Sequence, residues 1–146
     1  MELYTMLLCF SQSFRNFQVS SFTTLVSILM MARIQRYDFG KIVVNGTRYE
    51  RDVIVADRVI RSSWWRREGH KLYLEDIADV LEEYRPDILV VGTGYYGYLR
   101  VQRDLLEYAR DKGIEIIAKP TSEAVEIFNN LSRRGVKVLG AFHLTC

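Results

Sequence analysis

Gly92-Thr93-Gly94-Tyr95-Tyr96-Gly97 carries the spacing G-x-G-x-x-G directly after an apolar run. Glycines so spaced let a backbone approach a pyrophosphate at a helix N-terminus in dinucleotide-binding folds. Two features oppose that chemistry here. The next helical pattern begins near Leu99 to Gln102, outside the motif, and the following strand ends at Ala118-Lys119 without an Asp or Glu to hold a ribose. The plain structural reading is a turn whose glycines supply positive φ and tight packing. A broader ligand site survives at the same place, because open parallel sheets bind ligands beyond the carboxyl ends of their strands. That rule groups Thr93, Gly94 and Tyr95 with Lys119, Pro120, Thr121 and Ser122. Thr121 and Ser122 fall where a helix begins, so free N–H groups and the Lys119 charge fit a small anion or carboxylate. The competing and favoured reading makes Thr121 an N-cap and Lys119 a solvated cation.

A second constellation places Arg58, Arg61, Arg66 and Arg67 around Trp64 and Trp65. Cations interleaved with aromatics bind single-stranded nucleic acid through phosphate contacts and stacking. The formal net charge of only +2 argues against that use. Tryptophan and arginine are also enriched in protein interfaces, so Trp64, Trp65 and Arg66 are the expected protein contact. His143 lies in the apolar run Ala141-Phe142-His143-Leu144 and has the chemistry of a general base. No motif sets a Ser or Cys nucleophile beside it, which favours a core or surface histidine. Glu75, Asp76, Asp79, Glu82 and Glu83 form one polar helix face rather than a catalytic pair. Two cysteines and two histidines, none at zinc spacing, give no metal site.

These residues need elements to hold them. Asn45-Gly46 between Phe39–Val44 and Thr47–Tyr49 is a strong hairpin signal, since both turn residues require φ > 0. Asp52–Ala56 and Arg58–Trp65 read as further short strands, with Val53 and Val55 on one face, so the N-terminal third is antiparallel β. From Leu74 the period changes. Leu74, Ile77, Val80, Leu81 and Tyr84 predict a helix stopped by Arg85-Pro86. Asp87–Val91 is a continuous apolar strand, as expected when both faces are buried. Val101, Leu105 and Ala109 predict a second helix closed by Gly113, and Ile114–Ala118 a second strand. A third helix is capped by Thr121, has Glu123 in its first turn, and buries Ala124, Ile127, Phe128 and Leu131. Gly135 ends it, and Val136–Leu144 forms the last strand. Strand–helix–strand–helix–strand implies two right-handed parallel crossovers.

The 146 residues, 49% apolar and 26% charged, suit one domain with one core. Cys9 and Cys146 at opposite ends make no disulfide framework and fit a reducing compartment. Asn45-Gly46-Thr47 and Asn130-Leu131-Ser132 match the glycosylation sequon, but without a secretory signal they read as chance. Among the first 30 residues only Glu2 and Arg15 are charged. Glu2 is wrong for a secretory signal, and the run from Phe17 to Ala32 is too short and too polar for a transmembrane helix. The preferred reading is translation starting at Met30 or Met31, with residues 1–30 a leader outside the single domain of residues 31–146.

Val90-Val91-Gly92-Thr93-Gly94, Gly113-Ile114, Lys119-Pro120-Thr121, Ala124, Phe128-Asn129, Gly135-Val136-Lys137-Val138 and Gly140-Ala141-Phe142-His143-Leu144 together resemble the Mth-nine-three-eight-like (Mth938-like) family. The resemblance spans roughly Ile34 to Cys146 and leaves out the first thirty residues. It implies a three-layer α/β fold, a parallel-core sheet with helical crossovers plus an N-terminal antiparallel β layer. It implies no reaction and supplies no catalytic residues. Its relatives include an adipogenesis-associated cytoplasmic protein and a mitochondrial complex I assembly factor, which implies a binding or scaffolding role by analogy alone. The expected function is a non-enzymatic protein-binding or assembly module in the cytoplasm. It has an unidentified protein partner, no cofactor, no metal, no strong nucleic-acid signal and no membrane contact for residues 31–146. The alternative is a small-anion or metabolite-binding domain, or an enzyme, using the pocket at the strand ends.

Overall fold

The computed structural model describes residues 32–146. The expected leader and Cys9 lie outside the described residues.

β1 (Ile34–Asp38), β2 (Lys41–Val44) and β3 (Thr47–Tyr49) form an antiparallel meander. Its second turn is the Asn45-Gly46 hairpin read from the sequence, with φ of 51° and 83° at the two residues. β1 was not anticipated. It is tied to the body of the protein by Asn129, whose side-chain amide bonds both the N–H and the carbonyl of Ile34, at 3.0 and 2.7 Å.

The remaining strands are β4 (Val53–Val55), β5 (Val59–Arg61), β6 (Lys71–Leu72), β7 (Ile88–Thr93), β8 (Arg100–Val101), β9 (Glu115–Lys119) and β10 (Val138–His143). Five of them make one mixed sheet in the order β5-β4-β10-β7-β9. β10 and β9 flank β7, both parallel to it, with His143 opposite Thr93 and Lys119 opposite Gly92. β4 runs antiparallel on the far side of β10. The antiparallel segment is therefore joined to the parallel sheet through β10. Central position explains the unbroken apolar runs: every residue of β10 is buried, and β7 is buried from Leu89 onward. β9, at the edge, is only partly covered.

The helices are α1 (Ala78–Tyr84), α2 (Arg103–Lys112) and α3 (Thr121–Arg133). α1 and α2 bury Val80, Leu81 and Leu105 on one face of the sheet, with Ile54, Leu89, Val91, Leu139 and Ala141. α3 and the β1–β3 meander cover the other face, where Val53, Val55, Val90, Phe128 and Phe142 meet. The route from β7 to β9 passes over the first face, and the route back to β10 passes over the second. Opposite directions on opposite faces give both crossovers the same hand.

Gly140 in β10 shows how tightly the second layer sits. A Cβ there would lie 2.5 Å from the Phe142 ring and 2.9 Å from Phe128, so glycine makes room for that edge-to-face pair.

Three local expectations are corrected. The helix read from Leu74 to Tyr84 is broken at Ile77 into a 3₁₀ turn, Leu74–Asp76, followed by α1. The Asp76 carbonyl, which a continuous helix would give to Val80, accepts the Trp64 indole N–H at 3.0 Å, and the Val80 N–H turns to the Asp79 carboxylate. Val101 belongs not to a helix but to β8, which pairs with β6 as a two-residue parallel ribbon. Thr121 is the first residue of α3 with Pro120 in the cap position, and its hydroxyl is used elsewhere.

Candidate functional site

The connections leaving the neighbouring strands β7 and β9 pass to opposite faces of the sheet. The crevice beyond Thr93 and Lys119 is therefore the switch point where α/β sheets bind ligands, and His143, opposite Thr93 at the end of β10, lies beside it. β4, antiparallel to β10, starts at the same edge and brings Asp52 there.

Asp52, Arg66 and His143 meet beneath this edge. Arg66 Nη1 donates to Asp52 Oδ2 at 2.6 Å, and His143 Nδ1 lies 2.8 Å from the same oxygen. The Leu144 N–H donates to Asp52 Oδ1 at 2.9 Å, and Arg66 Nη2 donates to the Gly69 carbonyl at 3.1 Å. Burial alone would push the Asp52 carboxyl up. Hydrogen bonds from His143, Arg66 and the Leu144 N–H outweigh it and hold the group below the ordinary carboxylate range. Arg66 Nη2 also lies 3.1 Å from His143 Nδ1, so that nitrogen faces both the guanidinium and the Asp52 carboxylate. His143 Nε2 and Arg66 Nε are buried and have no partner among the described residues. Arg66 and His143 are themselves almost completely buried. The group thus has the Asp–His half of a catalytic triad without a placed nucleophile, and its hydrogen bonds join β4, β10 and the loop bearing Arg66.

The glycine turn packs directly on this group. Gly94 has φ of 103°, and a Cβ there would meet the Thr145 carbonyl at 2.7 Å and the His143 ring at 2.9 Å. Thr121, fully buried, donates its hydroxyl to the His143 carbonyl at 2.6 Å and accepts the Gly94 N–H at 2.9 Å. The Thr121 N–H donates to Gly94 O, and the Tyr95 N–H to Thr145 O. Protein oxygens therefore occupy the backbone donors of Gly94, Tyr95 and Thr121 that an anion would need. The structure does bring Thr93, Gly94, Tyr95 and Thr121 together, while Lys119 and Ser122 stay exposed at the rim. Tyr37 closes the meander side. It donates to the Leu144 carbonyl at 2.8 Å, and its hydroxyl is pushed up to about 12 by burial, with Tyr95 and Asp52 adding to the rise.

Outside this packed turn stand four aromatics. Phe39, at the tip of the β1–β2 hairpin, is 50% exposed, and Tyr95, Tyr96 and Tyr98 are 51%, 60% and 53% exposed. Successive ring centroids lie 5.5, 5.1 and 5.7 Å apart, making one continuous row. The row turns outward and leaves the glycine turn filled by its own backbone contacts.

The expected contact of Trp64, Trp65 and Arg66 is corrected for two of its members. Trp64 is 8% exposed and Arg66 is buried on Asp52; Trp65 alone, 82% exposed, faces outward. The three other arginines of that segment hold carboxylates: Arg58 with Asp57, Arg61 with Asp79, and Arg67 with Glu75.

Asp52 and the assembled ion group were missed by sequence reasoning, as were Phe39, Tyr96 and Tyr98. Three tyrosines within four residues after a buried strand were a legible signal for the row. Nothing local marks Asp52, which meets His143 across 91 positions. Among the described residues no cluster of His, Cys, Asp or Glu is arranged to hold a metal, and no helix is long and apolar enough to cross a membrane.

Residues 34–143 match the family described as Protein of unknown function (DUF498/DUF598). A conserved hypothetical protein from Pyrococcus horikoshii is 29% identical, with a TM-score of 0.63, over 78% of this chain and 99% of its own. A Bordetella pertussis protein described as a Mth938-like domain is 20% identical, with a TM-score of 0.65, over 79% of this chain and 87% of its own. A Bartonella henselae protein described as an outer membrane protein is 24% identical, with a TM-score of 0.68, over 80% of this chain and 97% of its own. The last two likenesses bear on the fold alone.

Proposed function

Since the chain belongs to the DUF498/DUF598 family of Mth938-like domains, described without a reaction, we propose that it is a non-enzymatic protein-binding module whose contact surface is the row Phe39, Tyr95, Tyr96 and Tyr98. The observation that carries this reading is four half-exposed rings in unbroken contact at the switch-point edge. Scattered exposed aromatics are ordinary; a contiguous row is the composition of an interface core. Covering the exposed half of one such ring, about 100 Å², stabilises a complex by roughly 2.5 kcal/mol at about 25 cal/mol per Å². The backbone beneath is already fixed by the Thr121, Gly94 and Thr145 hydrogen bonds, so little ordering cost remains on binding.

Proximity labelling in the native host, with wild type and a Tyr96→Ala/Tyr98→Ala variant, tests the reading. At least one partner should be lost from the variant, and that partner, purified, should bind it about 30-fold more weakly or worse. Identical partner lists from the two proteins would remove the proposal.

The small-anion reading keeps only Lys119 and Ser122 at the rim, because the neighbouring backbone donors are engaged. It gains the upper hand if a thermal-shift screen of phosphate and small carboxylates finds a ligand that stabilises the protein and loses its effect in Lys119→Ala. At about 100 times its dissociation constant such a ligand adds about 2.7 kcal/mol. Nucleic-acid binding at Trp65 is disfavoured by the carboxylates of Glu75, Asp76 and Asp79 that line the surface beside it.

A further inference from the structure

A second surface lies away from the aromatic row. A groove of about 510 Å³ runs between Trp65 and the start of α1. Ile54, Trp64 and Val80, all buried in the core, form its apolar base. Trp65 stands over it with most of its indole in solvent, an expensive exposure for the largest apolar side chain. The charges lining the groove are three carboxylates, Glu75, Asp76 and Asp79, against one guanidinium, Arg61. With Arg67, which holds Glu75, counted as well, the formal balance of three carboxylates against two guanidiniums is −1, opposite in sign to the +2 of the whole chain.

The three carboxylates differ in how they are held. Asp76 accepts the Arg67 and Tyr73 backbone N–H groups at 2.9 and 2.8 Å. Those neutral donors fix its carboxylate in place without cancelling its charge. Asp79 and Glu75 are paired with Arg61 and Arg67, but all four of these side chains are largely in solvent. Exposed ion pairs of this kind are worth little and exchange at low cost for a better-placed cation.

We infer that the groove receives an arginine side chain from a peptide segment of a protein partner. The chemistry selects the residue. A guanidinium stacks flat on an indole and gives two parallel hydrogen bonds to one carboxylate, whereas an ammonium does neither as well. Its aliphatic stem would lie along the exposed Trp65 indole, and its head would reach Asp79 or Glu75. This surface is independent of the aromatic row, and the two readings stand or fall separately.

The test titrates the full chain with three acetylated, amidated pentapeptides of sequence Gly-X-Leu-X-Gly, where X is arginine, lysine or its neutral isostere citrulline. Binding is read by calorimetry and by tryptophan fluorescence. The arginine peptide should bind, the lysine peptide more weakly, and the citrulline peptide least. Raising the salt should weaken the arginine peptide. Trp65→Ala should weaken it by about fivefold or more, and Glu75→Gln/Asp79→Asn should weaken it as well. Tyr96→Ala/Tyr98→Ala should leave it unchanged. Circular dichroism melts establish that each variant is folded, which the exposure of Trp65, Glu75 and Asp79 favours. No binding by the arginine peptide, equal binding of arginine and citrulline peptides, or unchanged affinity in folded Trp65→Ala would each overturn the inference.

Discussion

Two groups of arginines and carboxylates sit within one loop of each other and do opposite things. Arg66 is buried and Asp52 largely so, both bond to His143, and together they knit three segments of chain at the edge of the sheet. Arg61 with Asp79, and Arg67 with Glu75, make contacts of similar length between side chains that stand in solvent. The chemistry is the same and the surroundings differ. In the buried group, losing one partner strands the others where water cannot reach them. At the surface, water or a foreign cation replaces the lost partner.

The comparison breaks most visibly at Asp52. Asp52→Ala removes the acceptor of two side-chain donors and the Leu144 N–H, and should cost about 3–5 kcal/mol in denaturant unfolding. The sign of its pH dependence follows from the lowered carboxyl. Asp52 is easier to ionise in the fold than in the unfolded chain, so its contribution is present above the unfolded value, about 3.9, and is lost as pH falls through the folded value. Wild type should therefore lose stability below about pH 4, and the acid slope of Asp52→Ala should be shallower. If the variant melts like wild type, the buried group is not what holds this edge.

The neighbouring tryptophans repeat the comparison with apolar side chains. Trp64 fills the core and supplies the indole N–H that breaks the helix at Asp76; Trp65 does neither. Trp64→Ala should lower stability by about 3 kcal/mol, and Trp65→Ala by less than about 0.5 kcal/mol. Chemical denaturation of the two variants under one set of conditions checks this. Equal losses would mean that Trp65 is seated in the protein rather than facing solvent.

Tyr37 gives a smaller, alkaline counterpart to Asp52. Its hydroxyl is raised from 10.0 to about 12 in the fold. Stability from the neutral phenol is full below the unfolded value and is lost as pH climbs through the folded one. Wild type should weaken between about pH 10 and 12. Tyr37→Phe should lose about 1 kcal/mol at neutral pH, with its hydrogen bond to Leu144, and show less of the alkaline decline.

How much of this was readable in one dimension depends on the distance over which each feature is set. Asn45-Gly46, Gly113 and Gly135 act on their immediate neighbours and mark the turn and two helix ends directly. The apolar run at Leu89–Val91 carries its own evidence of burial on both faces. The residues around the strand ends likewise carry the family resemblance in their own order along the chain. The 3₁₀ break at Ile77 depends on Trp64, twelve positions before Asp76, taking the Asp76 carbonyl, so the helical period of Leu74–Tyr84 concealed it. Thr121 had the composition of a cap, but Gly94 and His143 recruited its hydroxyl from other strands. For the ligand site, reasoning from strand ends brought together Thr93, Gly94, Tyr95 and Thr121, yet gave no means to see that protein oxygens had already occupied their donors. The grouping of Trp64, Trp65 and Arg66 failed for a similar reason. Their residue types fit an interface, and burial is assigned by contacts with Asp52 and Asp76 that local sequence does not contain.

The smallest expected effect sharpens the comparison further. A double-mutant cycle on Arg61→Ala and Asp79→Ala should give a coupling of about 0–1 kcal/mol, because both side chains keep their water and must lose rotamer freedom to meet. Added salt should shrink that coupling toward zero. A cycle on Arg66→Ala and Asp52→Ala should give several times as much and respond less to salt, because those charges have little solvent to screen them. If the two cycles returned similar energies, burial would not be what separates these groups, and the ready exchange assumed for the pairs beside Trp65 would lose its basis.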